Sequence, residues 1–204
     1  AKSALTFELG QDRLLLNYDI YHNNNDHLTK SDGNFNGTPY QSEDLANTLV
    51  NRNEAVATYQ KRFDDKNKKL DFKLTYSNMK NDFSQNNIFR NPPISTSNLE
   101  NSSLMNNVTF KVDYSQPIKL LDEGKISVGG LFEKQNFETA SKNLTNLDYQ
   151  RQTASSYVEL QAKLKKFDFI AGTRAEDYDI SGITRIDSLG TVTKKNLIPF
   201  KQFK

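Results

Sequence analysis

The chain has 204 residues, 35% of them hydrophobic, and 27 lysines and arginines against 25 aspartates and glutamates leave a formal net charge of +2. That balance offers no electrostatic footprint for nucleic acid, and the absence of cysteine excludes disulfides, thiolate metal sites and cysteine nucleophiles. No apolar run approaches the ~20 residues of a membrane helix, whereas a negative mean hydropathy says nothing against a β-barrel, whose strands are apolar only at alternate positions.

Residues 1–10 lack the continuous apolar middle of a signal peptide, which points to a mature chain or, preferably, a portion of a longer one. From there the pattern has period two. Leu14, Leu16, Tyr18 and Ile20 form the first alternating set, followed by Ala55, Ala57 and Tyr59. Leu70, Phe72, Leu74 and Tyr76 alternate cleanly with Lys69, Asp71, Lys73 and Thr75, and Val108, Phe110, Val112 and Tyr114 with Thr109, Lys111 and Asp113. Ile126, Val128, Gly130 and Phe132 come next, then Val158, Leu160 and Ala162. Phe167, Phe169 and Ala171 follow, with Asp168, Arg174 and Glu176 on the polar side.

The pattern predicts an all-β chain, an antiparallel meander of about eight long strands in hairpins at about 4–20, 54–77, 105–136 and 151–177. Short turns fall at 10–12, 64–67, 116–124 and 163–165. Long connections rich in Asn, Ser, Thr, Gly and Pro fall at 22–53, 78–104, 137–150 and 179–196, and all are read as loop despite a short helical option at Leu45, Leu49 and Val50. Residues 197–204 open another strand.

Alternating short and long connections are unusual in compact soluble domains but fit a barrel with short periplasmic turns and long external loops. About ten residues, tilted about 40°, span the ~25 Å apolar band of such a barrel. Phe63, Tyr76, Tyr114 and Phe137 lie near strand ends, where they form either interfacial aromatic girdles or ordinary sheet packing. Two other architectures share the alternation. A secreted β-sandwich binding glycan or protein would bury the apolar face against a second sheet, and a small complete eight-stranded barrel would pair its first and last strands.

The stretch EAVATYQKRFDDKNKKLDFKLTYSNMKNDF at 54–83 resembles a hairpin of the TonB-dependent-receptor-like outer-membrane barrels typical of Bacteroidota. VTFKVDYSQPI at 108–118, GKISVGGLFEKQNFET at 124–139 and LDYQRQTASSYVELQAKLKKFDFIAGTRAEDYDISG at 147–182 resemble that family's next strands in order. The last carries a G-x-R-x-E strand through Gly172, Arg174 and Glu176. Residues 1–53 match only in pattern, and neither plug domain nor TonB box is visible. The resemblance implies an outer-membrane location in a Gram-negative bacterium and lipid as a neighbour. It also implies a nutrient or partner bound at external loops, with the TonB system as partner if the full-length protein has a plug.

Candidate site residues follow from the strand faces. Arg174, Glu176, Lys111, Asp113, Lys73 and Asp71 are expected to face the lumen, where water tolerates charge and lipid would not. Arg174 and Glu176 are read either as part of a charge ladder contacting plug or ligand or, preferably, as an ion pair with neighbouring strands. Asp32, Asn34, Asn36 and Glu43 fit the D-x-N-x-N-G-x5-E spacing of a calcium loop, opposed by Pro39 and by the lack of a preceding helix, so a solvated loop is the main expectation. His22, Asp26 and His27 sit in the same loop and are read as solvated too. With two histidines close together and no cysteine, general acid-base and nucleophilic machinery is scarce, and no enzymatic activity is expected.

Overall fold

The computed structural model describes residues 1–63, 68–91, 96–142, 145–188 and 191–203. Among them lie nine strands: β1 (Lys2–Leu9), β2 (Asp12–Phe35), β3 (Thr38–Arg62), β4 (Lys69–Asn91), β5 (Ser97–Ile118), β6 (Glu123–Ser141), β7 (Thr145–Leu164), β8 (Phe167–Ser188) and β9 (Thr191–Phe203). They form one antiparallel sheet in sequential order, and β1 pairs only with β2 and β9 only with β8 among the described residues. The sheet is therefore open. A closed eight-stranded barrel would pair its end strands, and a sandwich would set a second sheet over the apolar face. Neither arrangement is present among the described residues.

Directly paired residues share a face, so the ladder sorts every side chain. Leu16 pairs with Ala57, Ala57 with Leu74, Leu74 with Phe110, Phe110 with Phe132 and Phe132 with Ala154. The apolar sets of successive strands thus merge into one continuous belt. Tyr59, Phe72 and Phe110 stack along it, with ring centroids 6.3 and 6.5 Å apart.

No hydrophobic side chain is buried among the described residues; Phe110 is 43% and Phe169 53% exposed. The enclosed face is the polar one. Along β6 and β7 the outward Phe132, Lys134, Ala154 and Val158 are exposed while the opposite Glu133, Gln135, Thr153 and Tyr157 are half-buried, and among the described residues the one that is buried is Ser127, on that polar side. A water-soluble fold shows the reverse.

The belt also runs obliquely. Through the ladder Ile20 on β2 lines up with Ser181 on β8, yet outward apolar residues on β8 stop at Ala175, giving way to Asp177 and Asp179. A slip of about one residue per strand, at about 3.3 Å rise and 4.8 Å spacing, corresponds to strands tilted about 35°, the geometry of a barrel wall.

The segments expected to be long loops are instead continuations of the strands. β2 and β3 stay paired from Leu14–Tyr59 to Phe35–Thr38, and β4–β5, β6–β7 and β8–β9 extend likewise. Leu45, Leu49 and Val50 lie on β3, with no helix. Period-two alternation reports one wet and one apolar face; past the belt both faces are wet, so the sequence signal vanishes while backbone pairing persists. From Ile20 to Phe35 the β2–β3 ladder projects about 50 Å beyond the belt at about 3.3 Å per residue. At the opposite end apolar residues run almost into the turns, as in Leu164 and Phe167. That asymmetry orients the sheet, with the projecting hairpins external.

The 116–124 turn is shorter than expected, because β5 continues through Gln116 and Pro117 to Ile118. The expected turn at 64–67 lies outside the described residues. The ninth strand corresponds to the one expected to open at 197.

Candidate functional site: the enclosed polar face

The enclosed face is built by the odd positions of β2, β4, β5, β6 and β7 and the even positions of β3 and β8, and all six charged candidates lie on it. Asp71 pairs directly with Asp113, and Lys73 with Lys111. Through Gly129 and Tyr157 the first rank continues to Arg174, and through Leu131 and Ser155 the second reaches Glu176. Two adjacent ranks thus carry opposite signs that exchange between β5 and β8. Like charges directly across a ladder repel. Here they are relieved along the strands: Lys111 Nζ sits 2.8 Å from Asp113 Oδ2, and Arg174 Nη2 sits 2.7 Å from Glu176 Oε2.

The expected pairing of Arg174 and Glu176 with neighbouring strands is therefore corrected in part. They pair with each other, two residues apart, and the cross-strand contact is Arg174 Nη2 donating to Ser155 Oγ at 3.3 Å. A second cross-strand link was not foreseen: Tyr157 donates its hydroxyl to Asp113 Oδ1 at 2.6 Å, reaching across Gly129 on the intervening strand. Its signal was the Gly129–Gly130 pair inside a strand, since a strand glycine often marks a close approach.

One rank on this face is aromatic and thioether but for Arg52. Tyr21, Arg52, Met79, Met105, Phe137 and Tyr149 are successive ladder partners, with the Phe137 and Tyr149 rings 5.3 Å apart. Gln135 donates to Met105 Sδ at 2.9 Å. Both methionines of the chain sit here, face to face. The rank lies behind the outer limit of the belt on β2 to β5 and, because the belt is oblique, beyond that limit on β6 and β7, at the mouth of the enclosed side. Phe137, expected in a girdle, is thereby moved to the opposite face, whereas Tyr76 and Tyr114 do lie on the belt near its two limits. Phe63 falls just past β3, with Lys68 Nζ 4.6 Å from its ring centroid.

The calcium-loop spacing is not realised as a site. Asp32 pairs with Gln41 and Asn34 with Pro39 in a straight ladder, while Asn36 and Gly37, at φ 50° and 84°, form the two-residue turn at its tip. Both central residues at positive φ are what an Asn-Gly hairpin turn requires. Glu43, six positions further along β3, is about 20 Å from that turn at about 3.3 Å per residue. The four oxygens cannot converge, and no group of three or more potential ligands occurs among the described residues. His22 bonds Asn51 at 2.6 Å and His27 bonds Thr29 at 2.9 Å, on opposite faces of β2.

Glu43 has a different partner set. Arg90 on β4 donates to it at 2.6 Å and Lys30 on β2 lies 3.4 Å away, so one carboxylate ties three strands. The Arg90 hydrogen bond, reinforced by the charges of Arg90 and Lys30, holds the Glu43 carboxyl below its ordinary value of 4.5. A depressed carboxylate contributes at pH values above its ordinary range and loses its contribution only as pH falls through the folded value. The hairpin link is therefore expected to persist at pH 4.5 and to weaken below it, while Glu43→Gln weakens it at every pH. Limited proteolysis of the projecting hairpin against pH reads the difference, and nicking of both proteins with the same pH profile would contradict it.

The outer membrane protein beta-barrel family model matches residues 61–200. No match was found among curated protein sequences. Among solved structures, a double mutant of the Serratia marcescens hemophore receptor HasR, in complex with its hemophore HasA and heme, superposes with a TM-score of 0.57 at 14% identity, over 100% of this chain and 38% of its own. The alcaligin outer membrane receptor FauA of Bordetella pertussis gives 0.47 at 12% identity, over 94% of this chain and 34% of its own. This chain thus spans 38% of the HasR chain it matches, and its fold is that of a stretch of barrel wall. The belt touches the lipid of the Gram-negative outer membrane, and the chain belongs to the outer membrane protein beta-barrel family.

Proposed function

We propose that this chain is part of the wall of an outer-membrane receptor that binds a nutrient ligand at its external mouth and passes it inward, with the TonB system supplying energy where the complete protein carries a plug. The supporting observation is the row of Tyr21, Met79, Met105, Phe137 and Tyr149, an aromatic and thioether cluster on a largely polar enclosed face, beside the start of the projecting hairpins of β2–β5. Aromatic and thioether side chains half-exposed to water supply contact area for an incoming molecule, and Arg52 adds a cation beside them. The six charges below keep the passage wet. No catalytic role is assigned to any of these groups.

The test is growth of the native host on a panel of single nutrient sources, comparing the parent, a deletion strain and a strain whose full-length protein carries Phe137→Ser and Tyr149→Ser. The deletion is expected to fail on at least one source, and the double variant to reproduce that failure with an unchanged amount of folded barrel. Full growth of the double variant wherever the deletion fails would remove this face from ligand handling.

A further inference from the structure

The outward side of the adjoining ladder rank is a row of amides. Asn53, Asn78, Asn106, Asn136 and Gln150 are successive ladder partners on five strands; the first three directly follow the belt's last apolar residues, and because the belt is oblique Asn136 and Gln150 lie four positions beyond Phe132 and Ala154. Their orientation is partly fixed from below: Tyr18 donates to Asn53 Oδ1 at 3.3 Å and Tyr76 to Asn106 Oδ1 at 3.5 Å, while Asn78 Nδ2 donates to Asn106 Oδ1 at 2.7 Å. The amide nitrogens of Asn53 and Asn106, the oxygen of Asn78 and the whole amides of Asn136 and Gln150 have no partner among the described residues. Lys134, on the same face between Asn136 and Phe132, has no ion pair among the described residues either.

Acyl chains cannot satisfy such groups, so beyond the belt they meet head groups. The belt ends here on the external side, where the outer leaflet presents glycolipid sugars and phosphates. Neutral amides offer donor and acceptor together, which matches sugar hydroxyls, and an ammonium beside them matches a phosphate. We propose that the amide rank with Lys134 is a binding site for the sugar-phosphate head group of the outer-leaflet glycolipid, continuous with the lipid-facing belt. This rests on the membrane placement of the belt and not on ligand uptake.

The test uses the full-length protein in detergent, titrated separately with purified lipopolysaccharide, dephosphorylated lipopolysaccharide and phosphatidylglycerol. The parent is expected to prefer lipopolysaccharide, and the Asn78→Ala, Asn106→Ala, Asn136→Ala triple variant to bind it about tenfold more weakly, the loss of a few modest hydrogen bonds. Lys134→Gln should erase the difference between the phosphorylated and dephosphorylated forms. Ser77→Ala with Thr109→Ala, on the enclosed face, should leave binding unchanged. Equal parent affinity for phosphatidylglycerol, or parent-like binding by the folded triple variant, would overturn the site. If the triple variant does not fold, the parent's head-group preference and Lys134→Gln decide.

Discussion

Leu74→Arg is expected to destabilise the folded barrel by about 2–4 kcal/mol, the range for an arginine on the lipid face near the bilayer midplane. Leu74 lies in the central rank of the belt between Ala57 and Phe110 and is 49% exposed. In a water-soluble protein an exposed leucine of this kind would tolerate arginine at almost no cost. Its chain neighbour supplies the control. Thr75 pairs with Val56 and Thr109 on the enclosed face, and Thr75→Arg places the same charge at the same height in water, for an expected change within about 1 kcal/mol. Denaturant unfolding of the full-length protein from liposomes, followed by heat-modifiable mobility, measures both. Equal losses from the two substitutions, or a larger loss from Thr75→Arg, would mean that the sheet has been turned the wrong way round.

The parts of the fold legible in the sequence are those where the two sides of a strand meet different solvents. β4, β5 and β8 show clean alternation because lipid on one side and water on the other impose it, and the parity that results places all six charged candidates on one face. Parity also assigns Phe137, which is out of phase with Ile126, Val128 and Phe132 and so belongs to the face opposite the belt. The projecting ladders were illegible for the opposite reason. Pairs such as Asn23 with Val50 and Asn25 with Thr48 have water on both sides, so nothing selects an alternating pattern and the Asn-rich composition imitates a loop. Asn36–Gly37 carried a sharp hairpin signal that the calcium spacing obscured. Cross-strand relations, including Asp71 against Asp113 and the aromatic and thioether rank, depend on register, which no single strand encodes.

The second large effect is expected at Gly129. A Cβ there would lie 2.7 Å from Asp113 Oδ1 and closer still to the Tyr157 ring, so Gly129→Val must expel the phenol from its seat and break the bond to Asp113. The flexible rim of a side chain can move, but this ring is held between β6 and Asp113, and overpacking of such a contact costs about 1–3 kcal/mol. Tyr157→Phe keeps the ring over the glycine and removes only the hydroxyl, for about 1 kcal/mol, because Lys111 still neutralises Asp113. In the double variant Gly129→Val, Tyr157→Phe the hydrogen bond is lost only once, so the combined loss is expected to fall short of the sum. Strict additivity, or a neutral Gly129→Val, would show that Tyr157 does not depend on the gap left by the glycine. The coupling matters for the charged face as a whole: Asp113 stands directly opposite Asp71, and the phenol that crosses Gly129 supplies Asp113 with a donor from two strands away, where a side chain on β6 itself would have blocked the approach.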